Sequence, residues 1–410
     1  MNANCPVILV DAGLNAELLG SLIETYRPDW IFSAQAGYEL AGYGPPADAD
    51  VAGLLVRADS EDSGAQAVAI HPDLALLLST SGSTGSAKLV RLTLGNLVAN
   101  ATSIAEYLEL TAEERPITSL PMPYSYGLSV INSHLHAGAA IVLSEDGVLR
   151  REFWDAVERY GCTSFAGVPY TYQLLLQAGL LAKKGASLKT LTQAGGRLDE
   201  RYIEQMLKLA GERGWRFFVM YGQTEATARI AYVPFERLRE KVGAVGLAVS
   251  GGSLTTDPAT GELIYSGPNT MMGYAESRAD LAKGDELHGV LRTGDLARQD
   301  AEGFFYINGR LKRFLKLFGK RFNLDDVESV LARHFDGALG CYGRDDLLMV
   351  GMEQCSDPRA AADVICQLFD LPRTAVQVDA VRELPRTANG KLDYQCLMKS
   401  AQEPVADVIR

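Results

Sequence analysis

Apolar and polar positions along the chain follow two alternating periods. Short apolar runs at 6–10, 30–33, 74–78, 139–143, 164–167, 188–193 and 216–221 predict buried strands. Between them, apolar residues return every three or four positions over 15–26, 93–108, 153–160, 170–178 and 199–213, which predicts amphipathic helices, with Thr93 placed to cap one of them. Residues 6–33 open like a β-α-β unit, and 42–50, rich in Gly, Pro, Ala and Asp, reads as a loop. Strand alternating with helix predicts mainly parallel sheets covered by helices. From about residue 242 the texture changes to glycine-punctuated strands, 261–267 and 303–309, which predict an antiparallel β-subdomain. A helix over 324–334 follows, then a small α+β unit with a polar tail, and no internal repeat is seen. The expected class is therefore α/β: a large N-terminal domain of mainly parallel α/β layers with a small antiparallel β-subdomain, then a small α+β C-terminal domain.

Composition narrows the function. A length of 410 residues, 47% hydrophobic and 22% charged, is globular and allows two or three domains. The formal charge of -12 argues against nucleic acid as a partner, because a phosphate backbone selects a basic footprint. Cys5, Cys162, Cys341, Cys355, Cys366 and Cys396 are scattered, without a Cys-x-x-Cys pair, and read as reduced structural thiols. Residues 1–10 lack the pattern of a signal peptide, and no apolar run approaches the roughly 20 residues of a membrane span. A cytoplasmic protein with no membrane span is the expectation.

The stretch that concentrates chemistry runs from Leu78 to Lys88: a strand end, then Ser79, Thr80, Ser81, Gly82, Ser83, Thr84, Gly85, Ser86, Ala87 and Lys88. Glycines let backbone N–H groups turn toward an anion, hydroxyls add donors and the lysine adds charge, so the loop suits polyphosphate. Its spacing is not that of P-loop NTPases; a flexible polar surface turn is the other reading. Four further stretches belong with it. Tyr221-Gly222-Gln223-Thr224-Glu225 follows a buried strand, where open α/β sheets place ligands. Arg292-Thr293-Gly294-Asp295-Leu296 sets a carboxylate after a tight turn. Gly309-Arg310-Leu311-Lys312 begins a basic run to Arg321, whose plainer reading is a solvated hairpin. Leu384 to Lys391 ends in a lysine presented by a glycine turn.

In order, identity and spacing these five stretches resemble the adenylate-forming superfamily of acyl- and aryl-CoA synthetases, nonribosomal-peptide adenylation domains and luciferases, over about residues 74–391. The resemblance implies that Thr80, Ser81, Gly82, Ser83, Thr84, Gly85 and Lys88 cradle the β- and γ-phosphates of ATP. It further implies that Gly195, Gly196 and Arg197 border the adenine with Tyr221 and Gly222, that Thr224 contacts the α-phosphate, and that Glu225 helps hold Mg²⁺. Asp295 would accept from both ribose hydroxyls with help from Arg310. Lys391 corresponds to the family's catalytic lysine and Lys312 to its hinge. That divides the chain into residues 1–312, which bind ATP and acid, and a mobile C-terminal domain of residues 313–410. The basic run would then line the cleft beside the hinge.

The chain departs from the family pattern in several places. Ser86-Ala87-Lys88-Leu89 lacks the usual proline and glycine, and Gly243 to Ala248 lacks the usual prolines. Residues 120–128 correspond to the segment bordering the carboxylate pocket, with Tyr124 beside Ser125 where many acyl-CoA synthetases carry a histidine. No aspartate stands ready for an α-ammonium group, so a fatty, aryl or hydroxy acid is favoured. The phosphate loop lies early in the chain, which implies a reduced N-terminal region. The implied activity is adenylation of a small-molecule carboxylic acid with release of pyrophosphate, then transfer to the thiol of CoA or of phosphopantetheine on an acyl carrier protein. The alternatives are an adenylating ligase with an amine or another acceptor, and a nucleotide-binding scaffold without catalysis. Oligomeric state is not legible.

Overall fold

The computed structural model describes residues 5–11, 14, 16–33, 39–46, 52–58, 69–79, 88–311, 313–317, 320–344, 346–369, 371–387 and 390–400. The chain divides into two compact units, residues 1–94 with 271–288, and residues 95–270 with 289–410.

In the first unit, strand Val7–Leu9 runs parallel to Leu74–Ser79, which pairs antiparallel with Leu89–Thr93, itself antiparallel to Gly273–Ala275. Five of the six residues of Leu74–Ser79 are buried, as a continuous apolar run requires. Helix Ala16–Tyr26 ends on a buried tyrosine whose Oη donates to the Ala275 carbonyl at 2.8 Å. Trp30–Phe32 does not join this sheet; it pairs antiparallel with Leu54–Arg57, which also pairs with Tyr43–Gly44. The β-α-β expectation for 6–33 thus fails, because the second strand finds its partner in a local antiparallel sheet, and the expected loop at 42–50 contains a short strand. The Arg91 side chain is fully buried and is held by Glu286 at 2.5 Å and by the Tyr274 carbonyl at 3.2 Å.

The second unit is built on a six-stranded sheet. Pro116–Ile117, Ser164–Gly167, Thr190–Gln193 and Arg216–Tyr221 are parallel in that spatial order, and Ala231–Tyr232 and Leu247–Ala248 extend it antiparallel. Every residue of Ser164–Gly167 and Thr190–Gln193 is buried, the signature of a parallel sheet covered on both faces. The covering helix Glu200–Arg213 begins where the Asp199 carboxylate accepts from the Arg201 N–H at 3.0 Å and stops at Gly214, which takes a φ of 70°. Phe153, Trp154, Phe165, Leu191, Met206 and Phe217 close the core against this sheet. Residues 139–143 form no strand; a single bridge, Ile117 to Val142, is all that a two-residue edge strand can support. Helix Ser125–His136 is absent from the apolar pattern because its buried positions include Ser125, Gly127, Ser129, Ser133 and His134.

An antiparallel sheet of Ser253–Thr256, Glu262–Ser266, Val290–Gln299 and Phe305–Arg310 follows, as the glycine punctuation predicts, and it pairs Asp295 with Arg310 across two strands. Beyond it, hairpin Phe314–Leu317 with Lys320–Asn323, helix Leu324–Leu331, strands Leu339–Arg344, Leu347–Glu353 and Val376–Val381, and helices Pro358–Phe369 and Tyr394–Ser400 make the α+β region. A core running from Leu315 to Val378 draws only on this region. None of the six cysteines forms a disulfide. Among the described residues, no helix is long and apolar enough to cross a membrane.

Candidate active site

Strand Arg216–Tyr221 delivers Tyr221 to its carboxyl end. Directly after it, Gly222 allows a tight return: a Cβ there would overlap the Ala228 carbonyl. The chain bends through the short 3-10 turn Thr224–Ala226, and Thr227 takes a φ of 60°. This backbone path sets Thr224 and Glu225 at the end of the sheet. The Thr224 hydroxyl lies 3.1 Å from that of Ser125, the first residue of helix Ser125–His136.

Asp295 is 4% exposed and is held from several directions. Tyr221 Oη donates to its Oδ2 at 2.5 Å, Gln223 Nε2 donates to the same oxygen at 3.0 Å, and Arg310 Nε donates to Oδ1 at 3.1 Å. Burial first, and then the Asp295 carboxylate, raise the Tyr221 phenol well above its ordinary range, so it stays a donor. Of the roughly four lone-pair sites of a carboxylate, these three donors leave about one, on Oδ1, for a ligand hydroxyl. Gln223 also donates to the Thr293 carbonyl at 2.9 Å, locking the turn that presents Asp295.

Lys391 reaches the same place. Burial lowers its ammonium below the usual lysine range and Arg310 acts in the same direction, while Asp295 and Glu225 oppose them. Its loop is seated by contacts on the helix Pro169–Gln177: the Arg386 guanidinium stands 4.7 Å from the Tyr170 ring centre, and a Cβ on Gly390 would come within 3.3 Å of Tyr170 Cβ. On the other side, Tyr124 packs so closely on Gly195, which has a φ of 86°, that a Cβ there would strike the Tyr124 hydroxyl. Burial pushes that phenol up to about 12. Gln193 Nε2 donates to the Gly196 carbonyl at 2.9 Å, and Arg197 lies 3.6 Å from Glu200.

One unit therefore gathers Tyr124, Ser125, Gly195, Gly196, Tyr221, Thr224, Glu225, Asp295, Arg310 and Lys391. Lys88 belongs to the other unit, where its Nζ lies 3.5 Å from Glu276 and 3.8 Å from the Tyr274 ring centre. Thr80, Ser81, Gly82, Ser83, Thr84, Gly85 and Lys312 lie outside the described residues. The basic run does not act as one cleft lining. Arg313 turns inward, with Nη2 donating to Glu328 at 2.8 Å and to the Cys341 carbonyl at 2.9 Å, an ion pair to Asp325, and its guanidinium 3.8 Å from the Tyr394 ring centre. Gln223 and Arg229 stand out only in three dimensions. Gln223 sits inside a stretch singled out by its sequence, and Arg229 is a lone charge in the apolar run 226–233.

Among the described residues no three carboxylates, imidazoles or thiols cluster as a metal cage. Glu225 stands as a carboxylate at this end of the sheet, and Mg²⁺ takes one or two carboxylates together with phosphate oxygens and water.

One region of the fold thus combines a strand-borne Tyr-Gly-Gln-Thr-Glu turn with a buried carboxylate clamped by a tyrosine, a glutamine and an arginine. The model of the AMP-binding enzyme family matches residues 2–275, and the chain belongs to that family. It is similar to the sulfoacetate–CoA ligase of Cupriavidus necator, 29% identical over 361 residues, covering 81% of this chain and 68% of that protein. The indoleacetate–CoA ligase of Aromatoleum aromaticum is 28% identical over 420 residues, 95% of this chain and 78% of that protein. An L-proline–[L-prolyl-carrier protein] ligase of Pseudomonas fluorescens is 27% identical over 386 residues, 86% and 74%. Among solved structures, the o-succinylbenzoate CoA synthetase of Bacillus subtilis with its acyl-adenylate intermediate superposes with a TM-score of 0.67 at 25% identity, over 83% of this chain and 71% of that one. The same enzyme with ATP and magnesium gives 0.64 at 26%, over 79% and 70%.

Proposed function

We infer that the protein is an AMP-forming ligase: with ATP and Mg²⁺ it converts a carboxylic acid to an acyl-adenylate, releases pyrophosphate, and passes the acyl group to the thiol of CoA or of a carrier-protein phosphopantetheine. Relatives named as CoA ligases and as a carrier-protein ligase support both acceptors, which share the pantetheine thiol. The buried carboxylate of Asp295, held by Tyr221, Gln223 and Arg310 beside the Thr224 turn, carries the reading, and the Lys391 loop seated on Tyr170 supports it.

In the first step an oxygen of the acid's carboxylate bonds to the α-phosphorus, and the bond to the β-phosphate bridging oxygen breaks, pyrophosphate leaving with the electron pair. Two anions must meet, so the main barrier is electrostatic, and a fixed ammonium lowers it more than a general base would. Lys391 supplies that charge from the C-terminal region. Thr224, oriented by Ser125, holds an α-phosphate oxygen; Tyr221, Gly195, Gly196, Gly222 and Arg197 border the adenine; Asp295 and Arg310 fix the ribose; Thr80 to Gly85 with Lys88 hold the outer phosphates. Mg²⁺ at Glu225 would neutralise phosphate charge. We place the working boundary at Lys312, with residues 1–312 binding ATP and acid and residues 313–410 moving after adenylation. The separate core from Leu315 to Val378 supports that division.

The test separates the half-reactions. Lys391→Ala is expected to slow pyrophosphate release about 100- to 1,000-fold, the scale of losing one transition-state donor, while transfer from preformed adenylate to thiol stays within about tenfold. Equal loss of both steps would overturn the role of Lys391.

A further inference from the structure

Arg229 is 2% exposed, yet among the described residues its guanidinium meets no carboxylate. Nε donates to Tyr107 Oη at 3.1 Å, Nη2 to Ser129 Oγ at 3.4 Å, and the group lies 4.6 Å from the Tyr126 ring centre. Both hydroxyls spend their protons elsewhere, Tyr107 on Met220 Sδ at 2.9 Å and Ser129 on the Tyr126 carbonyl at 2.7 Å, so each turns a lone pair to the arginine. Burying a guanidinium without a counter-charge is unfavourable, as is a buried pair that has lost one partner. Two hydroxyl contacts and a ring offset only part of that.

The space beside it is also unfilled. Arg229, Val130, His134, Ser164 and Thr192 line a cavity of about 20 Å³, room for roughly one water-sized group. Two of these residues carry a buried polar atom without a partner, His134 Nε2 and Ser164 Oγ.

The helix Ser125–His136 measures the distance to the chemistry. Ser125, which touches Thr224, and Ser129, which receives Arg229, stand four residues apart on one helix face, about 6 Å along its axis. An acid activated at the Thr224 end has to extend about one helical turn, and displace any water from the small cavity, to bring its other end to the guanidinium.

We propose that Arg229 anchors a second anionic group on the acid, so that the substrate is a short-chain acid bearing a carboxylate or sulfonate at the end opposite the one adenylated. This rests on the acid-activating reading of the site. ATP–pyrophosphate exchange with the intact protein tests it, using pairs matched in length: glutarate against pentanoate, 3-sulfopropionate against butyrate, and 4-hydroxybutyrate as the uncharged polar tail. The dianion of at least one pair is expected to exceed its monoanion about 100-fold or more in kcat/KM, as a desolvated ion pair allows. Arg229→Gln should erase at least about tenfold of that preference through KM for the dianion, with the thermal midpoint and ATP affinity retained. A wild-type preference for the monoanions or for the hydroxy acid overturns the proposal and leaves the acid-activating reading standing. A folded Arg229→Gln that loses both members of a pair equally also overturns it. Should that variant not fold, the wild-type ranking alone decides. Exchange with no acid at all removes the parent reading.

Discussion

At the scale of single residues, Asp295 shows how much of the site one carboxylate carries. Its neighbours Tyr221, Gln223 and Arg310 all donate to it, so an amide in its place would face donors with a donor. Asp295→Asn is expected to raise the KM for ATP about 10- to 100-fold, the equivalent of one or two hydrogen bonds to a charged group, with a smaller change in the KM for the acid; exchange kinetics at saturating acid read it. Asp295, Glu225 and Lys391 were legible because each sits in a short stretch whose neighbours are as unusual as itself. Arg229 was not. In the linear chain it interrupts the apolar run 226–233 as any edge-strand arginine does, and only its burial without a carboxylate reveals a demand for an anion. Gln223 was visible but mute, since nothing in its spacing says that it braces the turn before Asp295.

At the scale of elements, the basic run after Gly309 divides according to its partners. The run and its hairpin were readable from composition, but the direction of Arg313 depends on acids twelve and fifteen residues later, on one face of helix Leu324–Leu331. Glu328 accepts from Arg313, from the Cys341 N–H at 2.6 Å and from Tyr394 Oη at 3.0 Å. Burial raises its carboxyl, and the arginine opposes that shift. The network ties the residue after the proposed hinge to the helix that begins three residues after Lys391. Glu328→Ala leaves the guanidinium with Asp325 alone and takes the acceptor from the Cys341 N–H and Tyr394 Oη, and should destabilise the protein by about 2–3 kcal/mol. Tyr394→Phe, which removes one hydrogen bond, should cost about 1 kcal/mol, both measured by denaturant unfolding. A cost for Glu328→Ala no larger than for Tyr394→Phe would mean that the Asp325 pair alone satisfies the arginine. Helix Ser125–His136 shows the same limit from the other side. Its buried positions mix Tyr126 and Leu128 with Ser125, Gly127, Ser129, Ser133 and His134, so the apolar period that announces other helices is missing.

At the scale of the whole molecule, the question is what holds Lys391 in place before any ligand arrives. The C-terminal region closes its own core from Leu315 to Val378, which draws on no residue of the parallel sheet. Its loop nevertheless rests on Tyr170, through the Arg386 guanidinium and the close approach of Gly390. A cation–π contact of this kind contributes about 0.5–2 kcal/mol, enough to bias a two-state arrangement without freezing it. Tyr170→Ala should therefore depopulate the arrangement in which Lys391 meets Asp295 and Glu225. Adenylation is expected to fall about 3- to 30-fold, matching that energy, while thiol transfer from preformed adenylate is unchanged or faster, because the region is released from the first station. Single-turnover measurements of the two steps distinguish this from general damage. A variant slowed equally in both would show that Tyr170 shapes the acid pocket rather than the docking of the lysine loop.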